Sequence, residues 1–164
     1  MSRPGGRPAS KLAFRFSCSL RHLIQLAVSL ARYQPRKAGS VLMTTQPHIL
    51  YADDDSDTRE VVQFILRHAG FRVSVTGDSS EVLQLLATDS FDALLLDNWM
   101  PNLDGIEVCR LVRSFDQELP IFFCSGAATE ADKKAALTAG AQGYLVKPFD
   151  PDELAATLRA ALNH

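Results

Sequence analysis

The sequence predicts an α/β protein in which five β–α units form a parallel five-stranded sheet with helices on both faces. Two observations carry this reading. Short apolar runs recur along the chain, and Ala93-Leu94-Leu95-Leu96 lacks the polar alternation of a half-exposed strand, as expected of a strand covered on both sides. Segments of helical periodicity separate these runs, and most begin with a cap-type residue three positions before a Glu. Strands that alternate with helices are joined by right-handed crossovers, which makes the sheet parallel.

The elements follow in order from His48. Ile49 to Ala52 is the first strand and runs into Asp53-Asp54-Asp55. Val61, Val62, Ile65, Leu66 and Ala69 mark the first helix, closed by Gly70 just past its end. Phe71 to Thr76 is the second strand, and Val82, Leu85 and Leu86 mark the second helix. Phe91 to Leu96 is the third strand, with Asp97 at its carboxyl end and a turn carrying Pro101 and Gly105 beyond it. Val108, Leu111, Val112 and Phe115 mark the third helix, and Pro120 to Cys124 the fourth strand. A helix from Ala131 to Ala139 stops at Gly140, Gln142 to Val146 is the fifth strand, and Leu154, Leu158, Ala161 and Leu162 mark the last helix. The helix starts agree: Asp57–Glu60, Asp78–Glu81, Asp104–Glu107 and Asp150–Glu153 fit the capping pattern, Thr129–Asp132 fits it more weakly, and Pro151 takes the first helical position.

Charge divides the chain of 164 residues into two physically different segments. Residues 1–46 hold eight Lys/Arg and no acid, whereas residues 47–164 hold nine Lys/Arg and all nineteen Asp/Glu, a formal charge of −10. That balance argues against direct nucleic-acid binding by the acidic domain, because phosphate contacts need clustered positive charge. The basic leader is expected to be mostly disordered, with one short amphipathic helix over residues 20–33. Three readings fit it: an organelle transit peptide, a membrane-surface or partner-binding helix, or an artefact of start-site choice. The last is favoured, because Met43-Thr44-Thr45-Gln46 immediately precedes the first strand. No apolar run approaches the ~20 residues that span a bilayer. Cys18, Cys109 and Cys124 lack metal-finger spacing and read as reduced thiols of a cytoplasmic protein. His22 and His48 have no ligand-spaced neighbours and read as plain surface residues.

In such a sheet the carboxyl ends of the strands converge on one edge, where open α/β folds place their chemistry. Asp53, Asp54, Asp97, Ser125 and Lys147 all fall there. Each alone has a plain explanation: a solvated acidic loop, a turn serine, a surface lysine before Pro148. Together they make a site. Carboxylates brought close repel unless a cation lies among them, and oxygen-only ligands suit Mg²⁺ or Mn²⁺ rather than zinc. Lys147 and Ser125 are suited to phosphoryl oxygens, and Asp97 is the candidate nucleophile, since a carboxylate can form an acyl phosphate.

These residues carry a resemblance. Ile49-Leu50-Tyr51-Ala52-Asp53-Asp54-Asp55, Asp97-Asn98-Trp99-Met100-Pro101 with Asp104-Gly105, Ser125-Gly126-Ala127, and Gly143-Tyr144-Leu145-Val146-Lys147-Pro148-Phe149 stand in the order and spacing of a response regulator receiver domain. The chain resembles that family over residues 47–164, as a stand-alone single-domain type. The resemblance implies a flavodoxin-like, doubly wound sheet of order 2-1-3-4-5. It implies that Asp97 accepts a phosphoryl group from a histidine kinase or histidine phosphotransfer protein in a two-component or phosphorelay system. Asp54, Asp97 and the backbone carbonyl of Trp99 would bind the metal, with Asp53 acting through water. Ser125 and Lys147 would contact the phosphoryl group, and Ser125 with Tyr144 would switch the surface of the fourth helix, fifth strand and fifth helix toward a downstream protein, as a monomer or a weak phosphorylation-dependent dimer. Tyr51-Ala52 departs from the more usual aliphatic pair, which reads as a packing difference, and the bulk of Trp99 would slow access to Asp97.

Three other readings compete. A phosphate-independent interaction module would keep the fold without the switch. A carboxylate-nucleophile phosphatase would need a second Asp two residues after Asp97, where this chain has Trp99. Flavin mononucleotide binding fits least, because no Ser/Thr/Gly phosphate loop follows the first strand.

Overall fold

The computed structural model describes residues 46–126 and 129–163. The leader helix read over residues 20–33, His22 and Cys18 lie outside these residues. The strands are β1 (His48–Ala52), β2 (Arg72–Thr76), β3 (Ala93–Asp97), β4 (Ile121–Ser125) and β5 (Gly143–Val146). The helices are α1 (Ser56–His68), α2 (Ser79–Thr88), α3 (Gly105–Arg113), α4 (Glu130–Ala139) and α5 (Pro151–Leu162). The strands form one parallel sheet of order β2-β1-β3-β4-β5, the doubly wound arrangement expected.

Strand alternation explains the two cores. Successive side chains of a strand point to opposite faces. Leu50, Leu94, Leu96, Ile121 and Phe123 face one layer, where they pack with Val82, Leu86, Val108, Val112 and Ala136 of α2, α3 and α4. Ile49, Tyr51, Ala93, Leu95, Phe122 and Cys124 face the other layer and pack with Val62 and Leu66 of α1 and Leu154 and Leu158 of α5. Strands β1, β3 and β4 are buried throughout, which accounts for their unbroken apolar runs.

Several local readings change. The α1 cap is Asp55, whose side chain accepts from Thr58 N, and Asp57 instead lies in the first turn. Asp53, by contrast, points into the sheet edge, where it bonds Tyr51 and Lys147. Thr129–Asp132 forms a complete reciprocal capping box, as does Asp104–Glu107. At Asp78 the box is not closed, because the Glu81 carboxylate accepts from the Thr76 hydroxyl instead. His48 is not a surface residue. Its ring is buried against Phe91, 4.3 Å between centroids, with its nitrogens 2.8 Å from Ser74 Oγ and 3.0 Å from the Ser90 carbonyl. It secures the amino end of β1, opposite the candidate site. Cys109 and Cys124 are free thiols, and both are buried. No helix among the described residues is long and apolar enough to cross a membrane.

Candidate functional site

The carboxyl ends of β1, β3, β4 and β5 bring Asp53, Asp97, Ser125 and Lys147 to one edge of the sheet. Asp97 is the last residue of β3 and its register partner on β4 is Cys124, which puts Ser125 one step further along the same edge. Ser125 is buried, and its carbonyl accepts from Lys147 N at 2.9 Å, so the strand pairing that ends β5 delivers Lys147 to the site. The Lys147 ammonium lies between the two carboxylates. It donates to Asp97 Oδ1 at 2.6 Å and to Asp53 Oδ2. The other Asp97 oxygen accepts from Trp99 N at 2.7 Å.

Both carboxylates are withdrawn from solvent, Asp53 to 1% and Asp97 to 6% exposure. Burial raises the Asp97 carboxyl above its usual range, and the Lys147 ammonium and Trp99 N–H reverse only part of that rise. Burial acts on Lys147 in the other sense, but its hydrogen bonds to Asp53 and Asp97 outweigh it, and the ammonium titrates above its ordinary value. Lys147 is therefore a fixed positive charge at neutral pH. Asp54 lies exposed in the loop immediately after Asp53, and the Trp99 ring stands 69% exposed beside Asp97. Tyr144, on β5, stacks on Phe123 at 6.1 Å and 10°, and its buried hydroxyl finds no hydrogen-bond partner among the described residues.

The donor chemistry fits a hard cation. Among the described residues no three His, Cys, Asp or Glu side chains converge tightly enough to cage a metal. Magnesium does not require a cage: it keeps several waters and binds through one or two carboxylates plus phosphate oxygens. Asp53 and Asp97, drawn together around the Lys147 ammonium, and the exposed Asp54 next in the chain offer oxygen donors of that kind.

Three supporting residues escaped the sequence reading. The Tyr51 hydroxyl donates to Asp53 Oδ2; burial and that bond hold the phenol well above its usual pKa range, so it remains a donor. Arg59 reaches back from α1 to donate to the Asp53 carbonyl at 2.6 Å, passing where a Cβ on Gly77 would come within 2.7 Å of its guanidinium. The fully buried Ser79 hydroxyl donates to the Pro101 carbonyl at 2.7 Å and accepts from Leu103 N at 3.0 Å, pinning the loop after Asp97. A polar atom at a core-facing strand position was a signal for Tyr51. Nothing in the sequence marked the other two.

This fold, with a buried aspartate at the end of β3 and a lysine against it, defines a receiver. The family model of the response regulator receiver domain matches residues 49–159. Response regulator MprA of Mycobacterium ulcerans (strain Agy99) is 44% identical over 114 residues, which cover 70% of this chain and 49% of that protein. The chain thus spans about half the length of the curated relatives it matches. A putative response regulator from Chloroflexus aurantiacus J-10-fl superposes with a TM-score of 0.71 at 33% identity, covering 73% of this chain and 100% of that one. The receiver domain of sensor histidine kinase PA1611 from Pseudomonas aeruginosa PAO1, solved with a magnesium ion coordinated in its active-site cleft, gives 0.69 at 29% identity, covering 73% of this chain and 100% of that one. The chain belongs to the response regulator receiver domain family.

Proposed function

We propose that the chain is a phosphoryl-accepting switch of a two-component or phosphorelay pathway. A carboxylate oxygen of Asp97 attacks the phosphorus of a phosphohistidine on a kinase or phosphotransfer protein. The P–N bond breaks, the imidazole leaves with a proton, and Asp97 carries an acyl phosphate. The observation that carries this reading is the Lys147 ammonium, fixed 2.6 Å from Asp97 in a buried setting, where charge on a transferred phosphoryl oxygen is stabilised most. Asp54, Asp97 and the Trp99 carbonyl hold Mg²⁺ or Mn²⁺, with Asp53 acting through water; when bound, the cation supplies the positive charge that lets carboxylate and phosphoryl oxygens approach. Ser125 and Lys147 then take phosphoryl oxygens, and Ser125 with Tyr144 biases the surface of α4, β5 and α5.

The phosphodonor docks on α1, the helix that follows the site loop, where Phe64 is 72% and Val61 58% exposed. The setting is the cytoplasm, where buried thiols such as Cys109 and Cys124 remain reduced. The output is a docking event on a downstream protein or transfer of the phosphoryl group along a relay.

Trp99, the single tryptophan, reports on the site. Mg²⁺ titration should change its fluorescence, and a small phosphodonor or beryllium fluoride should change it again. Asp97→Asn should abolish the second change, and mass spectrometry should find the added phosphoryl group on wild type alone. A folded wild type that responds to neither addition would instead support a phosphate-independent interaction module.

A further inference from the structure

Tyr51 presents a polar atom where the strand pattern asks for an apolar one. It lies two residues before Asp53, which directly follows β1 and extends its pairing with β2, so both side chains leave the same face. The ring is fully buried in the layer beneath α1 and α5, packed with Val62, Leu66 and Leu154. An aliphatic residue could fill that volume. A buried phenol must also find an acceptor for its hydrogen, and the acceptor here is Asp53 Oδ2.

The Asp53 carboxylate is held from three directions. Tyr51 and Lys147 donate to Oδ2, and Asp55 N donates to Oδ1 at 3.0 Å. These donors differ in permanence. Lys147 also bonds Asp97 and stands on the loop after β5, so it is the donor that a phosphoryl oxygen would draw away. The Tyr51 hydroxyl is carried by a ring that the core does not allow to move.

We propose that Tyr51 is a positioning residue for the cation site, its hydroxyl fixing the Asp53 carboxylate in the orientation that meets the metal's water. Without it, Asp53 Oδ2 keeps Lys147 as its only side-chain donor among the described residues, and the carboxylate swings toward that ammonium, which then competes with the entering cation. With it, Asp53 stays oriented and hydrogen-bonded after Lys147 has moved to the phosphoryl group. The inference rests on the reading that this sheet edge binds a divalent cation, and it adds a determinant of affinity from the core.

The test is a double-mutant cycle on the full chain with wild type, Tyr51→Phe, Asp53→Asn and the double variant. Mg²⁺ binding is read by Trp99 fluorescence, and Mn²⁺ binding independently by counting free ion with electron paramagnetic resonance, at a temperature where circular dichroism shows every variant folded. Loss of a partner that orients a metal-binding group typically weakens affinity about 10–100-fold, and roughly tenfold is expected for Tyr51→Phe. The loss should disappear in the Asp53→Asn background. Tyr51→Leu, which also lacks the hydroxyl, should show the same loss and serves if Tyr51→Phe does not fold. Dissociation constants for these variants within about twofold of wild type, or an equal loss with and without Asp53, overturn the proposal. Wild type that binds neither ion overturns the cation reading, and this inference with it; unchanged affinity in the variants overturns this inference alone.

Discussion

Gly105→Ala sets two physical effects of opposite sign against each other. Gly105 is the first residue of α3, capped by Asp104. By backbone entropy alone, alanine in a helix should stabilise by roughly 0.5–1 kcal/mol relative to glycine. The tertiary contact says otherwise. A Cβ at Gly105 would come 2.5 Å from the Asp97 carbonyl oxygen, 2.8 Å from Phe123 Cε1 and 3.2 Å from Asn98 Cα. Ordinary contact begins near 3.4 Å, so the first of these is short by about 0.9 Å. The obstruction is mainly backbone, and Phe123 is fully buried, so neither side yields cheaply. Relief requires α3 to lift from the end of β3, straining the Gly105 N to Asn98 O hydrogen bond. Overpacking of this kind costs roughly 1–3 kcal/mol, enough to cancel the helix gain and leave a net loss. With a urea slope of about 1–3 kcal/mol/M, the unfolding midpoint should fall by several tenths of a molar to about 1 M. Gly126→Ala, with open space around the new methyl, serves as the control and should barely move it. The same lift displaces the loop carrying Trp99, so its Mg²⁺-dependent fluorescence should shift in Gly105→Ala. A midpoint equal to or above wild type would refute the reasoning, since propensity would then have outweighed the clash.

Lys147→Met removes the ammonium between Asp53 and Asp97 and leaves two withdrawn carboxylates facing each other. It should cost about 2–3 kcal/mol at neutral pH, less than for a fully buried pair because Lys147 keeps some solvent access, and Mg²⁺ should restore part of the loss; a urea midpoint indifferent to Mg²⁺ would count against a shared cation site. The helix caps predict an acid limb: Asp55 and Asp132 titrate below the ordinary carboxyl value, chiefly through hydrogen bonds to Thr58 and Thr129, so their stabilisation is present above that value and lost as pH falls through the depressed ones. Asp97 has the opposite sign, because its raised carboxyl gains a proton first in the folded state and favours folding as pH falls. Urea midpoints measured against pH should therefore show a flatter acid limb for Asp55→Asn, where asparagine caps without titrating, and a steeper one for Asp97→Asn; the reverse order would contradict the assignment.

The sequence by itself determined the element order, the parallel sheet and the edge on which the chemistry gathers. These follow from short-range physics that one chain displays directly: unbroken apolar runs at β1, β3 and β4, oxygen-bearing caps before α2, α3 and α5, and glycines after α1 and α4. The positions of Asp53, Asp97, Ser125 and Lys147 at the strand ends were legible for the same reason.

Only the tertiary structure decided which atom meets which. Asp55 rather than Asp57 caps α1, and Asp53 bonds Lys147, 94 residues away in sequence. His48 looked like a surface residue because its partners, Ser74 in the middle of β2 and Ser90 in the loop before β3, are distant in sequence. Tyr51 looked like a packing variant because periodicity reports the face a side chain occupies, not what its polar atom touches. Arg59 and Ser79 were silent because each bonds a backbone carbonyl, Asp53 and Pro101, that carries no residue-specific mark. Hydrogen-bond partners are set by distances across the fold, and the local sequence pattern does not encode those distances.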